Sequence, residues 1–218
     1  MDINELKNYI NTKRRDFANR PFTESMAQDD PFKQYAEWFN EAISSDILDP
    51  YAACLSTVDS DGQPSSRIVY IRDVIDDGFV FYTNYSSSKG EDLLNNNLGA
   101  FNIFWGELER QIRIQGPIKK VSKLISDKYF NARPRASKIG AWASDQSKKL
   151  NNREELEDKI KYFDNKFKNK DIPRPDNWGG YSLNANQIEF WQGRPSRLHD
   201  RIVYTKKENL WVKNRLSP

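Results

Sequence analysis

Residues 51–85 read YAACLSTVDSDGQPSSRIVYIRDVIDDGFVFYTNY. Three runs rich in β-branched and aromatic residues are separated by DSDGQP and DDG, the Asp and Gly combinations of tight turns between apolar runs. The stretch is therefore a meander of antiparallel strands. Runs of the same kind recur at GAFNIFWG (99–106), RQIRIQGPIKKV (110–121), NQIEFWQG (186–193), RIVYTKK (201–207) and LWVKNRL (210–216). Roughly six to eight short strands with turn signals point to a barrel or sandwich. No regular strand–helix alternation is present, which argues against a Rossmann sheet. The expected class is mainly β with peripheral helices.

The helical signals lie around these strands. MDINELKNYINTKRRDF (1–17) reads as an amphipathic helix with a basic C-terminal end, suited to the helix dipole. DPFKQYAEWFNEAISS (30–45) offers Asp30 as cap, Pro31 at the first helical position, and Phe32, Tyr35, Phe39 and Ile43 on one face. SSSKGEDLLNNN (86–97) predicts a short helix. SKLISDKYFNARPRASKIGAWAS (122–144) predicts a helix, a break at Pro134 and a second helix. In NNREELEDKIKYFDNKFKNK (151–170), Asn152 and Glu155 make a cap, with Leu156, Ile160, Phe163 and Phe167 as the apolar stripe. DIPRPDNWGGY (171–181) is a proline- and glycine-rich crossing.

Composition excludes several classes. The 218 residues are 13% aromatic and 30% charged, which opposes disorder, and a net charge of +3 does not by itself imply nucleic acid. Mean hydropathy is −0.86, and no apolar run approaches the ~20 residues of a membrane span. The first residues carry acid and lack the apolar core of a secretory signal. Cys54 is the single cysteine, so no intrachain disulfide can form; this fits a reducing compartment, and the expected location is the cytoplasm. One histidine and one cysteine cannot build the usual zinc site, and neither a dinucleotide fingerprint nor a P-loop is present. No metal is expected.

Several clusters can carry chemistry. In SSRIVYIRD, strand alternation puts Arg67, Val69 and Ile71 on one face and Ile68, Tyr70 and Arg72 on the other. Each arginine is either a strand-end charge reaching water or an anion site. In FYTNYSSSKG, hydroxyls and Lys89 precede a helix start, which suits a phosphate. Around Pro134, Tyr129, Arg133 and Ser137 recur every four residues; the second helix start would aim free N–H groups where they converge. Finally, EFWQGRPSRLHDR (189–201) holds His199, the only histidine, amid arginines. If that segment is extended, Arg197, His199 and Arg201 share one face and repel unless an anion lies among them. The chain thus offers at least two phosphate-sized sites together with flat aromatic rings.

The motifs RQIRIQG, YFNARPRASKIGAWASDQS, WGGY and EFWQGRPSRLHDR, with RLSP at the end, resemble the pyridoxine (pyridoxamine) 5'-phosphate oxidase family over residues 14–218. The resemblance implies an FMN-binding split β-barrel, a homodimer with FMN at the subunit interface, and no nucleic-acid or membrane partner. It implies oxidation of pyridoxamine or pyridoxine 5'-phosphate to pyridoxal 5'-phosphate in vitamin B6 metabolism. The implied chemistry is hydride passage from substrate C4' to flavin N5 and reoxidation of the flavin by O2, giving H2O2; with the amine substrate, the resulting imine is hydrolysed and ammonia leaves. Residues 1–30 are then an N-terminal helix and lid segment, and 31–218 a single FMN-binding domain.

The same resemblance implies an FMN site built from Arg67, Ile68, Val69, Tyr70, Ile71, Arg72, Tyr82, Thr83, Ser88, Lys89, Gln111, Gln146, Ser147, Trp191 and Arg201. It assigns the substrate to Arg14, Arg15, Asp16, Phe17, Arg72, Tyr129, Arg133, Ser137, Arg197, Leu198 and His199, with Arg197 and His199 nearest the reacting carbon. Three positions depart from the family's habit. Arg72 stands where Lys is usual, Ser88 where Arg is frequent beside the FMN phosphate, and Phe17 where Tyr is frequent in the lid. Two other readings compete: a split-barrel flavin protein with a different substrate, and a non-enzymatic basic protein binding single-stranded nucleic acid.

Overall fold

The meander forms as β1 (Ala52–Val58), β2 (Pro64–Tyr70), β3 (Asp73–Ile75) and β4 (Gly78–Asn84) in the computed structural model, which describes residues 2–17 and 20–218. The first turn is closed by Asp59, whose carboxylate accepts from the N–H groups of Asp61 and Gln63, with Gly62 at φ 85°. In the second, Asp76 and Asp77 both adopt left-handed φ (48° and 60°), the pair of angles a two-residue hairpin needs. β1 and β2 are in antiparallel register from Ala52↔Tyr70 to Val58↔Pro64. The sequence suggested three runs; the second divides at Ile71–Arg72, where the backbone leaves β1 and Arg72 N–H donates to Val80 O of β4.

The chain divides into two compact units. One comprises Leu48–Ile103 and Arg113–Ile188. It contains β1–β4, most of β5 (Leu98–Trp105) and β6 (Arg110–Lys120), and β7 (Trp178–Asn184), hydrogen-bonded in the order β2-β1-β5-β6-β7-β4-β3. Leu55, Phe79, Phe81, Phe101, Ile114 and Leu183 fill the curled sheet's interior and are fully or almost fully buried. Helices α3 (Ser88–Asn95), α4 (Lys123–Ala132), α5 (Arg135–Ala143) and α6 (Arg153–Lys166) belong to this unit. A second cluster, Phe130, Ile139, Phe167, Ile172 and Trp178, secures α4 and α5.

The break at Pro134 is as expected: Arg133 is extended (ψ 147°) and Pro134 is the N-cap of α5. The stripe proposed for α6 is only partly used. No residue within Arg153–Lys166 is buried and Ile160 is exposed; Phe163 and the buried C-cap Phe167 make the contact, packing on Trp142 at 5.6 and 5.4 Å.

The other unit comprises Met1–Ile47, Phe104–Ile112 and Glu189–Pro218. It holds α1 (Ile3–Thr12), α2 (Pro31–Ser44), most of β8 (Gln187–Gln192), and the hairpin β9 (Asp200–Lys207) and β10 (Leu210–Arg215). Asp30 caps α2 as expected, but the buried face is Pro31, Gln34, Tyr35, Trp38 and Ala42. Ile43 is exposed, because Trp38 (2% exposed) turns the helix so that it packs on Phe22 and Phe190. α1 carries an Asp2–Glu5 capping box and buries no residue. Its basic residues Lys13, Arg14 and Arg15 follow the last turn, so the dipole argument does not apply to them.

Among the described residues no helix is long and apolar enough to cross a membrane, and no group of three metal-ligating side chains occurs.

Candidate functional site

The strand–turn–strand packing of the β1–β4 unit places a cavity of about 450 Å3 beside β2, within the roughly 300–1,000 Å3 range of small-molecule sites. Four cationic side chains line it: Arg67, Arg72, Lys89 and Arg133. Arg67 lies opposite Leu55 in the β1/β2 register, and its guanidinium is fixed from below. Nη1 donates to Thr57 Oγ1 (2.6 Å), Nη2 donates to Ser65 Oγ, and Thr57 Oγ1 donates to the buried Asp92 (2.6 Å). Asp92 lies 3.8 Å from Arg67 Nη2.

Lys89, the second residue of α3, is only 8% exposed. Its Nζ donates to Ser87 Oγ (3.1 Å) and to Gln146 Oε1 (2.9 Å), which also accepts from Thr83 Oγ1. Burial, and then the neighbouring Arg67 charge, push the Lys89 ammonium down to about 8, with Asp92 offsetting part of the effect.

The opposite wall is aromatic. Tyr82 stacks on Tyr129 at 3.7 Å with 5° between planes, and Trp178 continues the stack 5.8 Å from Tyr82. Gly180 pairs with Tyr82 across β4 and β7, and a Cβ there would come within 2.9 Å of the Tyr82 ring. This close approach is the physical reason for glycine in WGGY. Arg133 lies over the Trp178 ring at 4.4 Å, burial holds its guanidinium below the ordinary value, and its buried Nη1 has no hydrogen-bond partner. A second cavity of about 250 Å3 shares Arg133, Gln146 and Trp178 with the first and adds Asn84 and Ser137. Of the three residues expected to converge at the Pro134 corner, Arg133 lines both cavities, Tyr129 only the larger and Ser137 only the smaller.

Of the other candidates in this unit, Ile68, Val69, Tyr70 and Thr83 line the larger cavity, while Ile71 is buried in the core. Ser88 is exposed at the start of α3, and Ser147 is exposed with φ 70°. Arg72 sits in a notch between two tyrosine rings, 4.7 Å from Tyr51 and 4.8 Å from Tyr70.

The remaining candidates lie in the other unit. Gln111 is half-buried on β6. The segment 195–197 is not extended: it is a 3-10 turn with Ser196 and Arg197 at left-handed φ of 58° and 62°. Alternation therefore does not place Arg197, His199 and Arg201 on one face. A carboxylate relieves the inferred repulsion at one of the three: Arg201 forms a two-point pair with the buried Glu189 (2.8 and 3.1 Å), while the Arg197 charge still acts on His199; the neighbouring Arg194 lies 3.4 Å from Asp200.

His199 Nδ1 accepts from the Arg194 N–H (3.1 Å), which places any proton of the neutral ring on Nε2. Burial, then the Arg197 charge, lower its pKa. Phe17 packs edge-on against both His199 (5.4 Å) and Trp191 (5.5 Å). Asp16 accepts from the Ser196 N–H (3.1 Å), and Arg15 pairs with the buried Glu109 (2.9 Å). Arg14 donates to its own backbone at Ile10 and Lys13, and Leu198 is exposed.

Comparison with known proteins bears on this assembly. The family profile described as pyridoxamine 5'-phosphate oxidase matches residues 39–167, and one described as the pyridoxine 5'-phosphate oxidase C-terminal dimerisation region matches residues 178–218. The chain belongs to the pyridoxine/pyridoxamine 5'-phosphate oxidase family. It is 48% identical over 215 residues to the pyridoxine/pyridoxamine 5'-phosphate oxidase of Cytophaga hutchinsonii, covering 98% of this chain and 100% of the relative. It is 44% identical over 209 residues to the enzyme of the same name from Cyanothece sp., covering 96% and 98%.

Among solved structures, PhzG from Burkholderia lata 383, in complex with tetrahydrophenazine-1-carboxylic acid, superposes with a TM-score of 0.86 at 29% identity, covering 92% of this chain and 98% of that one. A pyridoxamine 5'-phosphate oxidase-related, FMN-binding protein from Nostoc punctiforme matches with a TM-score of 0.69 at 15% identity (87% and 98% covered), a likeness of fold. The split β-barrel implied by the family resemblance agrees with these folds, and it falls within the barrel-or-sandwich class that the meander pointed to.

The donor set fits the family's flavin mononucleotide. Lys89 and Arg67 offer charge-assisted donors to a phosphate, and the stacked rings offer a flat wall. Sequence reasoning missed the residues that hold these groups: Thr57 and Asp92 under Arg67, Tyr51 beside Arg72, Glu109 under Arg15, and Glu189 under Arg201. Two had a visible signal. Thr57 interrupts an apolar alternation on β1, and Glu189 is a charge inside the strand run IEFW, where only a paired charge is tolerated.

Proposed function

We propose that this chain is an FMN-dependent oxidase that converts pyridoxamine or pyridoxine 5'-phosphate to pyridoxal 5'-phosphate, acting as a homodimer with FMN at the subunit interface. The observation that carries this is one cavity bringing four cationic side chains against a three-ring aromatic wall: it has charge for phosphates and flat surface for rings. Bound FMN would supply a two-electron acceptor for hydride from the substrate's C4' carbon, to be reoxidised by O2 with H2O2 as product; with the amine substrate, water would then hydrolyse the resulting imine and ammonia would leave.

This chain's residues bind and orient. Arg67 and Lys89 hold the FMN phosphate, with Thr83, Gln146, Ser147 and the exposed Ser88 beside it. Ile68, Val69, Tyr70, Ile71 and Tyr82 supply strand and ring contacts, and Gln111, Trp191 and Arg201 complete the flavin site of the dimer. Arg72, Tyr129, Arg133 and Ser137 take the substrate phosphate. The unpartnered Arg133 Nη1 and the free N–H groups at the start of α5 supply donors there.

Arg197, Leu198 and His199 cover the substrate ring, and Arg14, Arg15, Asp16 and Phe17 close over it, residues 1–30 serving as lid to a single domain of 31–218. His199, neutral with Nδ1 occupied, acts through Nε2 by orientation and electrostatics.

The test is spectroscopic. The purified protein is expected to be yellow, and its visible flavin band to bleach when pyridoxamine 5'-phosphate is added without oxygen. A protein that stays coloured on that addition is not this oxidase. A colourless one, whose affinity for oligonucleotides falls steeply with salt, is the nucleic-acid binder instead.

A further inference from the structure

Arg72 is one of three site residues at which this chain departs from the family's habit, standing where lysine is usual, and the structure surrounds it with a device a lysine would not use in the same way. The rings of Tyr51 and Tyr70 stand nearly perpendicular, 86° apart with centres 5.0 Å from one another, and the Arg72 guanidinium carbon lies 4.7 and 4.8 Å from them. Both hydroxyls are tied to one carboxylate: Tyr51 Oη donates to Asp49 Oδ1 (2.6 Å) and Tyr70 Oη donates to Asp49 Oδ2 (3.0 Å). Asp49 sits at a left-handed φ of 51°, and its carbonyl accepts from Ala52 N–H at the start of β1. The backbone on either side is fixed as well, with Ile71 N–H donating to Tyr51 O (2.9 Å) and Arg72 N–H to Val80 O (2.8 Å).

No carboxylate lies within ion-pair distance of Arg72 among the described residues. Asp49 bonds the tyrosine hydroxyls and feels the Arg72 charge only from beyond ion-pair distance, so the charge of Arg72 is held in place without a direct carboxylate partner. Arg72 and Tyr70 also line the cavity that contains Arg133 and Tyr129. The fork also interacts with the Tyr51 hydroxyl, and its remaining N–H groups match a phosphate oxygen pair where an ammonium gives only a point charge.

We propose that Asp49, Tyr51 and Tyr70 form a clamp that positions the Arg72 fork as a receptor for a phosphate monoester, and so set the preference of this site for the phosphorylated substrate. The proposal rests on the oxidase reading above. Asp49 and Tyr51 are positioning residues, acting through Arg72. A free arginine loses rotamer freedom when it engages a ligand, and fixing the side chain in advance removes part of that cost from binding. The effect therefore belongs in substrate affinity and not in the chemical step.

The experiment is steady-state kinetics of the FMN-loaded enzyme with pyridoxamine 5'-phosphate, using Tyr51→Leu, Tyr51→Phe, Asp49→Asn and Arg72→Lys, alone and combined. Tyr51→Leu is expected to raise KM about tenfold and change kcat less than twofold, and Asp49→Asn to raise KM by a smaller factor. Tyr51→Phe, which keeps the ring face, should restore most of the loss. In the Arg72→Lys background, Tyr51→Leu should add little. Equal factors in both backgrounds, or a fall in kcat at constant KM, would overturn the clamp.

A second arm separates this from failure of the oxidase reading. Inorganic phosphate is titrated calorimetrically into the FMN-loaded wild type and Tyr51→Leu. If the wild type does not turn over pyridoxamine 5'-phosphate, the reading of the reaction fails, while weaker phosphate binding by Tyr51→Leu still supports the clamp. Equal phosphate binding by the two proteins would overturn it.

Discussion

Replacing Lys89 by methionine should make the flavin-free protein more stable and the flavin-binding protein worse. Lys89 is 8% exposed, and burial with the nearby Arg67 brings its pKa from 10.5 to about 8. That depression corresponds to roughly 3 kcal/mol of cost in carrying the charge at neutral pH. Methionine has a similar length and no charge. The two hydrogen bonds lost with Nζ contribute about 1 kcal/mol each, but Ser87 Oγ still donates to Asn84 O and Gln146 Oε1 still accepts from Thr83. The net expectation is a gain of about 1–2 kcal/mol without flavin, or a Tm higher by about 2–8 °C in a chain of this size.

The sign with pH follows from the direction of the shift. A depressed lysine penalises the fold wherever it is charged in both states, below about 8, and the penalty fades as pH rises from 8 towards 10.5. The Tm advantage of Lys89→Met should therefore shrink across that window. FMN affinity should run the other way. Loss of a charge-assisted donor weakens phosphate binding by roughly tenfold to hundredfold. Wild-type affinity should fall as pH rises through 8, while that of the variant stays flat over the same range. Thermal melts of flavin-free protein and fluorescence titration with FMN, both between pH 6.5 and 10, read these effects. A variant that melts lower than wild type at pH 7 and binds FMN as tightly would refute the reasoning.

Two further outcomes are expected. His199→Ala should slow anaerobic flavin reduction by pyridoxamine 5'-phosphate roughly 10- to 100-fold while FMN stays bound, because orientation over the ring is lost and the phosphate donors are not; reduction at the wild-type rate in stopped flow would remove His199 from the reaction. Gly180→Ala brings a Cβ to 2.9 Å from the Tyr82 ring and 2.7 Å from Val121, so it should cost about 1–3 kcal/mol by overpacking and displace the Tyr82–Tyr129 stack. A drop in Tm with weaker substrate binding is the expected result, and an unchanged melt would show that the wall yields.

Local sequence rules carried a large share of the fold. Turn chemistry at DSDGQP and DDG fixed the first hairpins, Asp30–Pro31 opened α2, and Pro134 separated α4 from α5, because each depends on neighbours in the chain. The candidate site was legible as residue types: cations beside hydroxyls in FYTNYSSSKG, and the four-residue spacing of Tyr129, Arg133 and Ser137. What periodicity misjudged was orientation. Two helical faces of α2 both contain Tyr35, and only the fit of Trp38 against Phe22 and Phe190 selected between them. Alternation assumed an extended chain at 195–199, and two left-handed residues broke it.

By itself the sequence determined most of the strands and helices, which side chains carry charge, and the family to which they belong; Trp178–Tyr181 read as a crossing, and only pairing with β4 and β6 made it part of strand β7. Tertiary structure alone decided what stands behind each charge. Thr57 and Asp92 brace Arg67 from 10 and 25 positions away, Glu189 pairs with Arg201, Glu109 holds Arg15, and Asp49 with two tyrosines frames Arg72. The physical reason is range. Turns and caps are decided within about four residues by backbone angles, whereas the worth of a buried charge depends on which distant groups replace its water.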